Sequence, residues 1–351
     1  MTTLTSLHSG HDVAYFLRER EAGGCVGAMS YYTASGEPPG VWAGAGAEHL
    51  GLTGEVDPKV IEALYMKGIG PDGQRLRPPP KARTAAEEDA REEATVRAYR
   101  EAHPYASASE VEKERTRARC RAGQVKVPYF DLTISAVKSV SVLHASLKVA
   151  AGQTSDAELA ARLNALADGI EQDLVESARA AIAYAEERAA FVRTGHHSAT
   201  TGEWRDALGL IAALFVHHIS RDGDPQLHVH AAIANLALRA DGADDRWRGI
   251  YGRALHMIRL WIAARVDREM EARLIRRGLY MVPREDGNGS EVGGVSKQVA
   301  DMFSSRARGI SPELDRLLEQ YKRSFRIDTD NFLRFDGFLL PLSMESDAAC
   351  A

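Results

Sequence analysis

Apolar and polar residues follow two periods along this chain, and together these periods predict an α+β fold. Apolar residues three to four positions apart are typical of amphipathic helices, whereas short runs rich in β-branched and aromatic residues are typical of strands. We expect helices on the outside and several short strands inside. The helical pattern covers residues 138–147, 155–193, 251–276 and 296–325, and the strand pattern covers residues 125–134, 279–282 and both sides of residues 221–224.

Local signals refine this plan at four places. We expect a short helix, which contains Tyr15, within about the first 20 residues, and a tight loop at residues 40–52 that leads into a second short helix. Ser155 and Glu158 have the spacing of a capping box, which marks the start of a helix. Gly169 could interrupt the helix that follows.

Residues 81–122 form a separate, highly charged segment. They are dense in Arg, Glu and Ala, with charges of both signs interleaved. This pattern indicates an exposed helix or a mobile insertion. Because its acids offset its bases, we interpret the segment as a solvated face, and the alternative is an arm that contacts DNA.

The composition is that of a soluble globular protein. The 351 residues, 26% charged and 44% apolar, could form one large domain or two ordinary ones. The net charge of −5 gives no support for a nucleic-acid partner, so any DNA contact would need a local basic patch. No apolar run approaches the roughly 20 residues that span a bilayer, and no signal peptide is visible, so we expect no membrane insertion. Three scattered cysteines without zinc-ligand spacing fit a reducing cytosol.

The segment from Phe215 to His230 carries three histidines that a β-hairpin would bring onto one face. In a strand, residues two apart point to the same side, which places His228 and His230 together. A turn at residues 221–224, which include an Asp-Gly pair, would place His217 opposite His228. Three neutral imidazoles with open coordination positions indicate a catalytic divalent-metal site. Histidines that only pack or form hydrogen bonds are the alternative.

Other polar residues near this hairpin each have more than one interpretation. Asp131, in a predicted strand, could fix a histidine tautomer behind the metal, or it could end the strand or cap a helix. Lys138 could contact phosphate at a helix start, or it could be solvated. His218 points to the face opposite His217, and we expect it in the core or at the surface. The H-E-x-x-H pattern of zinc proteases is absent, so peptide hydrolysis has little support.

Three motifs in order resemble those of one enzyme family. Residues 130–141 (FDLTISAVKSVS) are similar to the strand-to-helix motif of the MobF-class, or TrwC-like, conjugative relaxases, which belong to the HUH endonuclease superfamily. The hairpin from Phe215 to His230 resembles the third motif of that family. The opening segment of the family is matched, in the same order, by Tyr15, Tyr31, Tyr32 and residues 42–56.

The resemblance covers most of residues 10–330, with the charged segment at about 81–122 as the main exception. It implies a single relaxase domain over residues 1–330, with a charged helical insertion, followed by a C-terminal tail at residues 331–351. The fold it implies is a central antiparallel β-sheet, the palm of HUH enzymes, flanked by helices. A C-terminal helical, fingers-like region would complete that fold.

The resemblance also implies that the protein cuts one DNA strand by transesterification. A tyrosine oxygen would attack the scissile phosphate and leave a 5′-phosphotyrosyl link and a free 3′-hydroxyl. A divalent cation on His217, His228 and His230 would balance the charge that grows on the phosphate. Asp131 matches the family carboxylate that contacts both the tyrosine and a metal histidine. Arg221 matches an arginine beside the site, where it could pair with phosphate or, alternatively, with an aspartate of its own turn.

The tyrosines of the opening segment are the candidate nucleophiles. Tyr15 matches the first family tyrosine, and we assign it the initial cleavage. Tyr31 matches the tyrosine of a second strand transfer, with Tyr32 as its neighbour. The chain departs from the family pattern here, because Phe16 follows Tyr15 where a second tyrosine is common and the spacer before Tyr31 is longer. Tyrosines that only pack against apolar neighbours are the alternative.

The partners implied by the resemblance are single-stranded or hairpin DNA at an origin of transfer, together with accessory transfer proteins. Family members often carry a helicase, but the G-x-x-x-x-G-K-[ST] loop is absent here. We therefore expect a helicase on a separate protein or on a part removed from this chain. The expected location is the bacterial cytoplasm, with transfer alongside the DNA strand. Mg²⁺ or Mn²⁺ is the expected cation, although Zn²⁺, Ni²⁺ and Co²⁺ also suit imidazole ligands.

Three other functions stay open on the residues alone. A rolling-circle replication initiator or a transposase would share the superfamily and its tyrosine chemistry. A metal-dependent hydrolase would use bound water and form no covalent intermediate. A DNA-binding module without catalysis would use the histidines only for structure.

Overall fold

The structure is a computed structural model in which runs of strands are separated by runs of helices. It describes residues 2–7, 39–77, 85–122, 127–195, 202–220, 223–284, 287, 289–305, 316, 332–335 and 338–341. The strands are β1 Thr2–Leu7, β2 Val41–Ala43, β3 Tyr129–Ser135, β4 Phe191–Thr194, β5 Glu203–Asp206, β6 Ala212–Ile219, β7 Pro225–Ala234, β8 Met281–Pro283, β9 Ser290–Val292, β10 Phe332–Phe335 and β11 Phe338–Pro341. The helices are α1 Ala45–His49, α2 Pro58–Glu62 with a π-helical extension Ala63–Lys67, α3 Ala85–Ala102, α4 Ala108–Ala122, α5 Lys138–Gln153, α6 Ala157–Ala189, α7 Gly252–Arg276 and α8 Lys297–Met302.

A five-stranded sheet forms the centre of the fold. Its strand order is β1-β3-β7-β6-β2. Every neighbouring pair in this sheet is antiparallel. The predicted α+β plan, with a central antiparallel sheet flanked by helices, is therefore confirmed.

Side chains from alternate positions of β7 enter two hydrophobic clusters, one on each face of the sheet. Leu227, Val229 and Ile233 belong to the larger cluster, which also contains apolar residues of α5, α6 and α7. Ala232 and Ala234 belong to a smaller cluster. Full burial of a Val, Leu or Ile side chain contributes on the order of 1.5–3 kcal/mol, so the packing of β7 against the helices contributes strongly to the sheet's stability.

The smaller cluster is built by the segment that follows β2. As expected, residues 40–52 contain a tight turn and the short helix α1, and Trp42 is buried. The Tyr65 ring lies against the Trp42 ring, with centroids 6.4 Å apart. The Tyr65 hydroxyl donates a hydrogen bond to the carbonyl of Ala232, at 2.7 Å. This segment therefore covers part of the sheet face opposite the large helices.

The first residues form a strand, so the prediction of a helix at the start of the chain is wrong for Thr2–Leu7. β1 pairs with β3 along its whole length, from Thr2 opposite Ile134 to Leu7 opposite Tyr129. Threonine, which is β-branched and suits a strand, occupies three of the six residues of β1, and the edge of β3 offers backbone groups that need partners. The pattern within a short segment does not reveal a partner strand so far along the chain.

Helix α6 differs from its prediction at its start and in its middle. Its N-cap is Asp156, whose side chain accepts hydrogen bonds from two backbone N–H groups of the first turn, so the capping box predicted for Ser155 and Glu158 is wrong. An aspartate is as good a cap as a serine, and the two residues are adjacent. The helix also continues without a break through Gly169.

Gly169 has a packing role that explains why a glycine occurs inside α6. A Cβ at this position would collide with the guanidinium group of Arg277. Arg277 forms an ion pair with both carboxylate oxygens of Asp173, and the bond from Nη2 to Oδ1 is 2.9 Å long. Asp173 is only 6% exposed, so it depends on this partner. The glycine thus makes room for a charge pair between α6 and the end of α7.

The charged segment forms two helices, α3 and α4, that pack on each other. Val96 and Val111 are buried within this pair. Arg115 of α4 reaches the carboxylates of Glu92 and Glu93 of α3, at 3.2 and 2.6 Å. The segment was predicted to be an exposed helix or a mobile insertion, and in the structure it is helical.

The C-terminal part of the described chain begins with α7, which follows the predicted helix at 251–276 closely. The strand predicted near residue 280 is β8, which pairs with β9. A helix was predicted at 296–325. The structure shows its first part as α8, which follows the N-cap Ser296, and most residues beyond 305 lie outside the described part. Among the described helices, none is both long enough and apolar enough to cross a bilayer.

The packing at Gly169 predicts that Gly169→Ala destabilises the protein, although alanine is the better helix former. The new Cβ displaces Arg277 and leaves the buried Asp173 carboxylate without its partner, which costs about 1–3 kcal/mol. Gly152→Ala in α5 is the matched control, because no atom lies within 4 Å of the added Cβ. Urea denaturation should show a lower free energy of unfolding for Gly169→Ala and an unchanged or higher one for Gly152→Ala. A Gly169→Ala protein as stable as wild type would contradict the packing role.

Candidate metal centre

Three histidines of β6 and β7 lie together on the sheet face opposite the large helices. His217 is directly opposite His228 across the two strands, and His230 lies two residues further along β7, as the hairpin pattern predicted. The ring centroids are 5.3 Å apart for His217 and His228 and 5.0 Å apart for the other two pairs. One nitrogen from each ring lies within 4.8 Å of the others. This is a spacing that one cation can bridge.

Hydrogen bonds set the orientation of two of these rings. The Nδ1 atom of His228 lies 2.7 Å from the carbonyl oxygen of Gln226. A carbonyl oxygen can only accept, so Nδ1 carries the proton and the lone pair of His228 is on Nε2. The Nδ1 atom of His230 lies 3.0 and 2.9 Å from the two carboxylate oxygens of Asp131, which fixes the same tautomer.

Asp131 stands behind the histidine cluster, on β3. It is 6% exposed and caps no described helix. The Thr133 hydroxyl donates to its Oδ2 atom at 3.2 Å. Of the interpretations given to this aspartate, the structure favours the carboxylate that orients a histidine ring. Sequence reasoning missed Thr133 and Gln226, although each contacts the site residue two positions away in its own strand.

The chemistry of the donor set fits a divalent cation. Burial, followed by the charge that His230, His228 and His218 would carry, lowers the pKa of His217 to about 3. His217 is therefore neutral near pH 7, as a metal ligand must be. Three imidazoles fill three positions, and the remaining coordination positions of a cation could take substrate oxygens. Imidazole ligands favour Mn²⁺, Co²⁺, Ni²⁺ or Zn²⁺ over Mg²⁺ in affinity, whereas cellular abundance favours Mg²⁺.

The beginning of α5 anchors the strand that carries two of the histidines. Lys138 Nζ donates to the carbonyl oxygen of Pro225 at 2.9 Å and to Gln226 Oε1 at 2.8 Å. The Ser141 hydroxyl accepts from the backbone N–H of Leu227 at 3.0 Å. Neither interpretation of Lys138, as a phosphate contact or as a solvated residue, describes this arrangement. The motif at residues 130–141 thus supplies Asp131 from its strand and the anchors of β7 from its helix.

The other predicted site residues are not placed by the structure. Tyr15, Tyr31, Tyr32 and Arg221 lie outside the described residues. The structure therefore brings together the three histidines and Asp131, and the positions of the candidate nucleophiles stay predictions.

Comparisons with known proteins point to one family. The family model described as "TrwC relaxase" matches residues 9–330 of this chain. The chain is also 30% identical, over 197 residues, to the "Multifunctional conjugation protein TraI" of Escherichia coli (strain K12). That alignment covers 56% of this chain and 8% of the relative, so the chain spans less than a tenth of the relative's length.

Solved structures with a similar fold carry the same family name. One is TrwC complexed with a 27-mer DNA that comprises the recognition hairpin and the cleavage site, with a TM-score of 0.58, 22% identity, and coverage of 94% of this chain and 85% of that one. Another is a copper-bound conjugative relaxase TrwC in complex with oriT DNA, with a TM-score of 0.60, 21% identity, and coverage of 96% and 88%. At this level of identity the likeness shows a shared fold.

The contact between Asp131 and His230 predicts that Asp131→Asn weakens metal binding. Without the carboxylate, the His230 ring loses its fixed tautomer and some of its basicity, which typically lowers metal affinity about 10–100-fold. Isothermal titration with Mn²⁺ measures this change. Asp245→Asn, at an exposed aspartate, is the control and should bind as wild type does. Equal affinities for Asp131→Asn and wild type would show that the carboxylate does not support the site.

The pKa of His217 predicts a specific pH dependence of stability in the metal-free protein. The folded-state pKa, about 3, is below the ordinary value of 6.5, so the unfolded chain binds more protons between these values. The folded state therefore loses stability as the pH falls from 6.5 towards 3. In His217→Leu, the slope of the free energy of unfolding against pH should be smaller than in wild type by up to about 1.4 kcal/mol per pH unit.

Urea denaturation with a chelator present, at several pH values across this window, measures the slope for each variant. His103→Leu, at an exposed histidine, should keep the wild-type slope. If His217→Leu also keeps that slope, His217 is not the buried neutral histidine described above.

Proposed function

The chain belongs to the TrwC relaxase family, and from this premise we propose that it nicks and rejoins one DNA strand at the origin of transfer of a plasmid or integrative element. The reaction is a transesterification that passes through a 5′-phosphotyrosyl intermediate and initiates conjugative transfer. The observation that supports it most is the cluster of His217, His228 and His230 with the Asp131 carboxylate behind it. This arrangement suits charge stabilisation at a phosphate.

Each residue of the centre has a part in this reaction. His217, His228 and His230 would hold the cation through ring nitrogens, and Asp131 keeps His230 in the tautomer that leaves Nε2 available. When bound, the cation would supply positive charge to the non-bridging oxygens of the scissile phosphate. Arg221 would add a hydrogen-bonded positive charge to the same phosphate.

The nucleophile we propose for the first cleavage is the Tyr15 hydroxyl. A phenol with a pKa near 10 reacts poorly at neutral pH unless a base takes its proton. Asp131 is the buried carboxylate at this site and would receive that proton. The tyrosine oxygen then forms a bond to phosphorus while the bond to the 3′-oxygen breaks, and the proton passes to that oxygen. Because one phosphoester replaces another, the strand can be rejoined without ATP.

A second transesterification would complete strand transfer. Tyr31 is the tyrosine that we propose for it, with Tyr32 as the neighbouring candidate. The order of the two tyrosine segments in the sequence supports this assignment. The chain departs from the family pattern at Phe16, so the pattern alone does not choose between Tyr31 and Tyr32. Mapping the covalent adduct to a residue would make that choice.

The proposed substrate is single-stranded or hairpin DNA. The TrwC structure named above holds a DNA with a recognition hairpin and a cleavage site, and this supports the same class of DNA as the substrate proposed here. A local aromatic and basic surface offers a contact despite the negative net charge. Trp204 is 46% exposed, stacks on Tyr251 at 4.0 Å between centroids, and lies under the Arg193 guanidinium. Such platforms bind bases by stacking.

We also propose a domain organisation and a set of partners for this activity. Residues 1–330 would act as one relaxase domain with the helical pair at about 81–122 inserted in it, and residues 331–351 would form a tail. A helicase and accessory transfer proteins would act with the domain in the bacterial cytoplasm, and the relaxase would travel with the strand. The size of the curated relative, of which this chain spans a small part, is compatible with further activities beside the relaxase.

The proposed reaction predicts a covalent protein–DNA adduct that depends on Tyr15. Wild type incubated with an origin-of-transfer oligonucleotide and Mg²⁺ or Mn²⁺ should give a shifted protein band on a denaturing gel, and Tyr15→Phe should give none in the initial cleavage. Tyr280→Phe, at an exposed tyrosine of the described chain, is the control and should form the adduct.

Mass spectrometry of the adduct names the attacking residue. Cleavage without any protein adduct would replace this proposal by a metal-dependent hydrolase that uses water. Binding without cleavage, under all metals, would replace it by a DNA-binding module.

A further inference from the structure

A second cluster of metal-ligating side chains lies on the face of the sheet opposite the first. His218 follows His217 on β6, and since successive residues of a strand point to opposite faces, its ring lies beneath the helices. There it meets Glu171 of α6 and His144 of α5. One ligand atom from each of these three residues lies within 4.8 Å of the others. The cluster thus joins three elements of the fold.

The geometry of this cluster is suited to a common metal ion. The two imidazole rings are parallel, with an interplanar angle of 2° and centroids 5.2 Å apart. Both Nε2 atoms face the Glu171 Oε2 atom, which is 2.7 Å from His218 and 3.8 Å from His144. In a tetrahedral zinc site with metal–nitrogen bonds near 2.0–2.1 Å, neighbouring ligand atoms are about 3.3 Å apart. The two separations lie on either side of that value.

An ion pair between His218 and Glu171 alone would not explain the burial of His144 beside them. It is 4% exposed, and its Nε2 atom makes no hydrogen bond to any residue that the structure describes. A buried polar atom in that state is costly, and such atoms often mark an ion or water. A hydrogen bond between His218 and Glu171 satisfies those two residues only. A cation would satisfy all three at once.

We propose that His144, Glu171 and His218 form a second divalent-cation site, separate from the one on His217, His228 and His230. Two imidazoles and one carboxylate are ligands typical of Zn²⁺ and chemically similar ions such as Co²⁺. His218, which the sequence assigned to the core or surface, is a ligand in this site. The cation would fasten α5 and α6 to the strand that carries His217, so its effect is on stability. This inference does not depend on the DNA cleavage proposed above.

Zinc stoichiometry in a protein without the first site tests this proposal. The background variant is His228→Ala with His230→Ala, in tag-free full-length protein. Equilibrium dialysis followed by elemental analysis should find two equivalents of Zn²⁺ per chain in wild type and one in the background variant. The melting temperature of the background variant should rise when Zn²⁺ is added. A background variant that binds no Zn²⁺ would overturn the proposal.

Single substitutions then assign the remaining ion to its ligands. Glu171→Gln in the background variant should weaken Zn²⁺ binding at least about tenfold and abolish the rise in melting temperature. Glu187→Gln, at an exposed glutamate of the same helix, is the matched control and should change neither. His144→Gln is the second test variant, used if circular dichroism shows that Glu171→Gln is unfolded. Unchanged zinc affinity in a folded test variant would place the ion elsewhere and overturn the assignment.

Discussion

The antiparallel register of β6 and β7 is the constraint on which the candidate metal centre depends. It places His217 opposite His228 and leaves His230 on the same face. All three imidazoles of the centre are therefore supplied by strand residues. A shift of one residue would turn these side chains to the other face and separate them. The register is held by the buried residues of the opposite face, such as Leu227 and Val229, which pack beneath the helices.

Hydrogen bonds within β7 and from neighbouring elements orient the histidine rings that this register brings together. Asp131 on β3 and the carbonyl oxygen of Gln226 hold the rings of His230 and His228, and α5 fastens the start of β7 through Lys138. Each of these contacts is made by an element that also contributes to the core. The stability of the sheet and the geometry of the centre are therefore coupled. A change in packing beneath β7 would shift the positions of the histidine rings.

Local patterns in the sequence predicted the fold class, the histidine face and α7, because period and turn chemistry act over short distances. Interactions between distant segments were harder. The pairing of β1 with β3 and the contact of Gly169 with Arg277 depend on residues far apart in the chain, and the sequence suggested a helix and a helix break instead. For Asp131, the residue type allowed several roles, and only its position beside β7 distinguishes them. The candidate tyrosines rest on family resemblance and motif order alone.

In the proposed centre, a divalent cation binds Nε2 of His228, Nε2 of His230 and one nitrogen of the His217 ring. Anomalous X-ray diffraction from crystals grown with Mn²⁺ and collected at the manganese edge tests it most directly. We expect one peak on the sheet face opposite the large helices, within coordination distance of one nitrogen of each of the three rings. A protein saturated with Mn²⁺ that shows no peak there, or a peak bound through Nδ1 of His230 with Asp131 displaced, would contradict it.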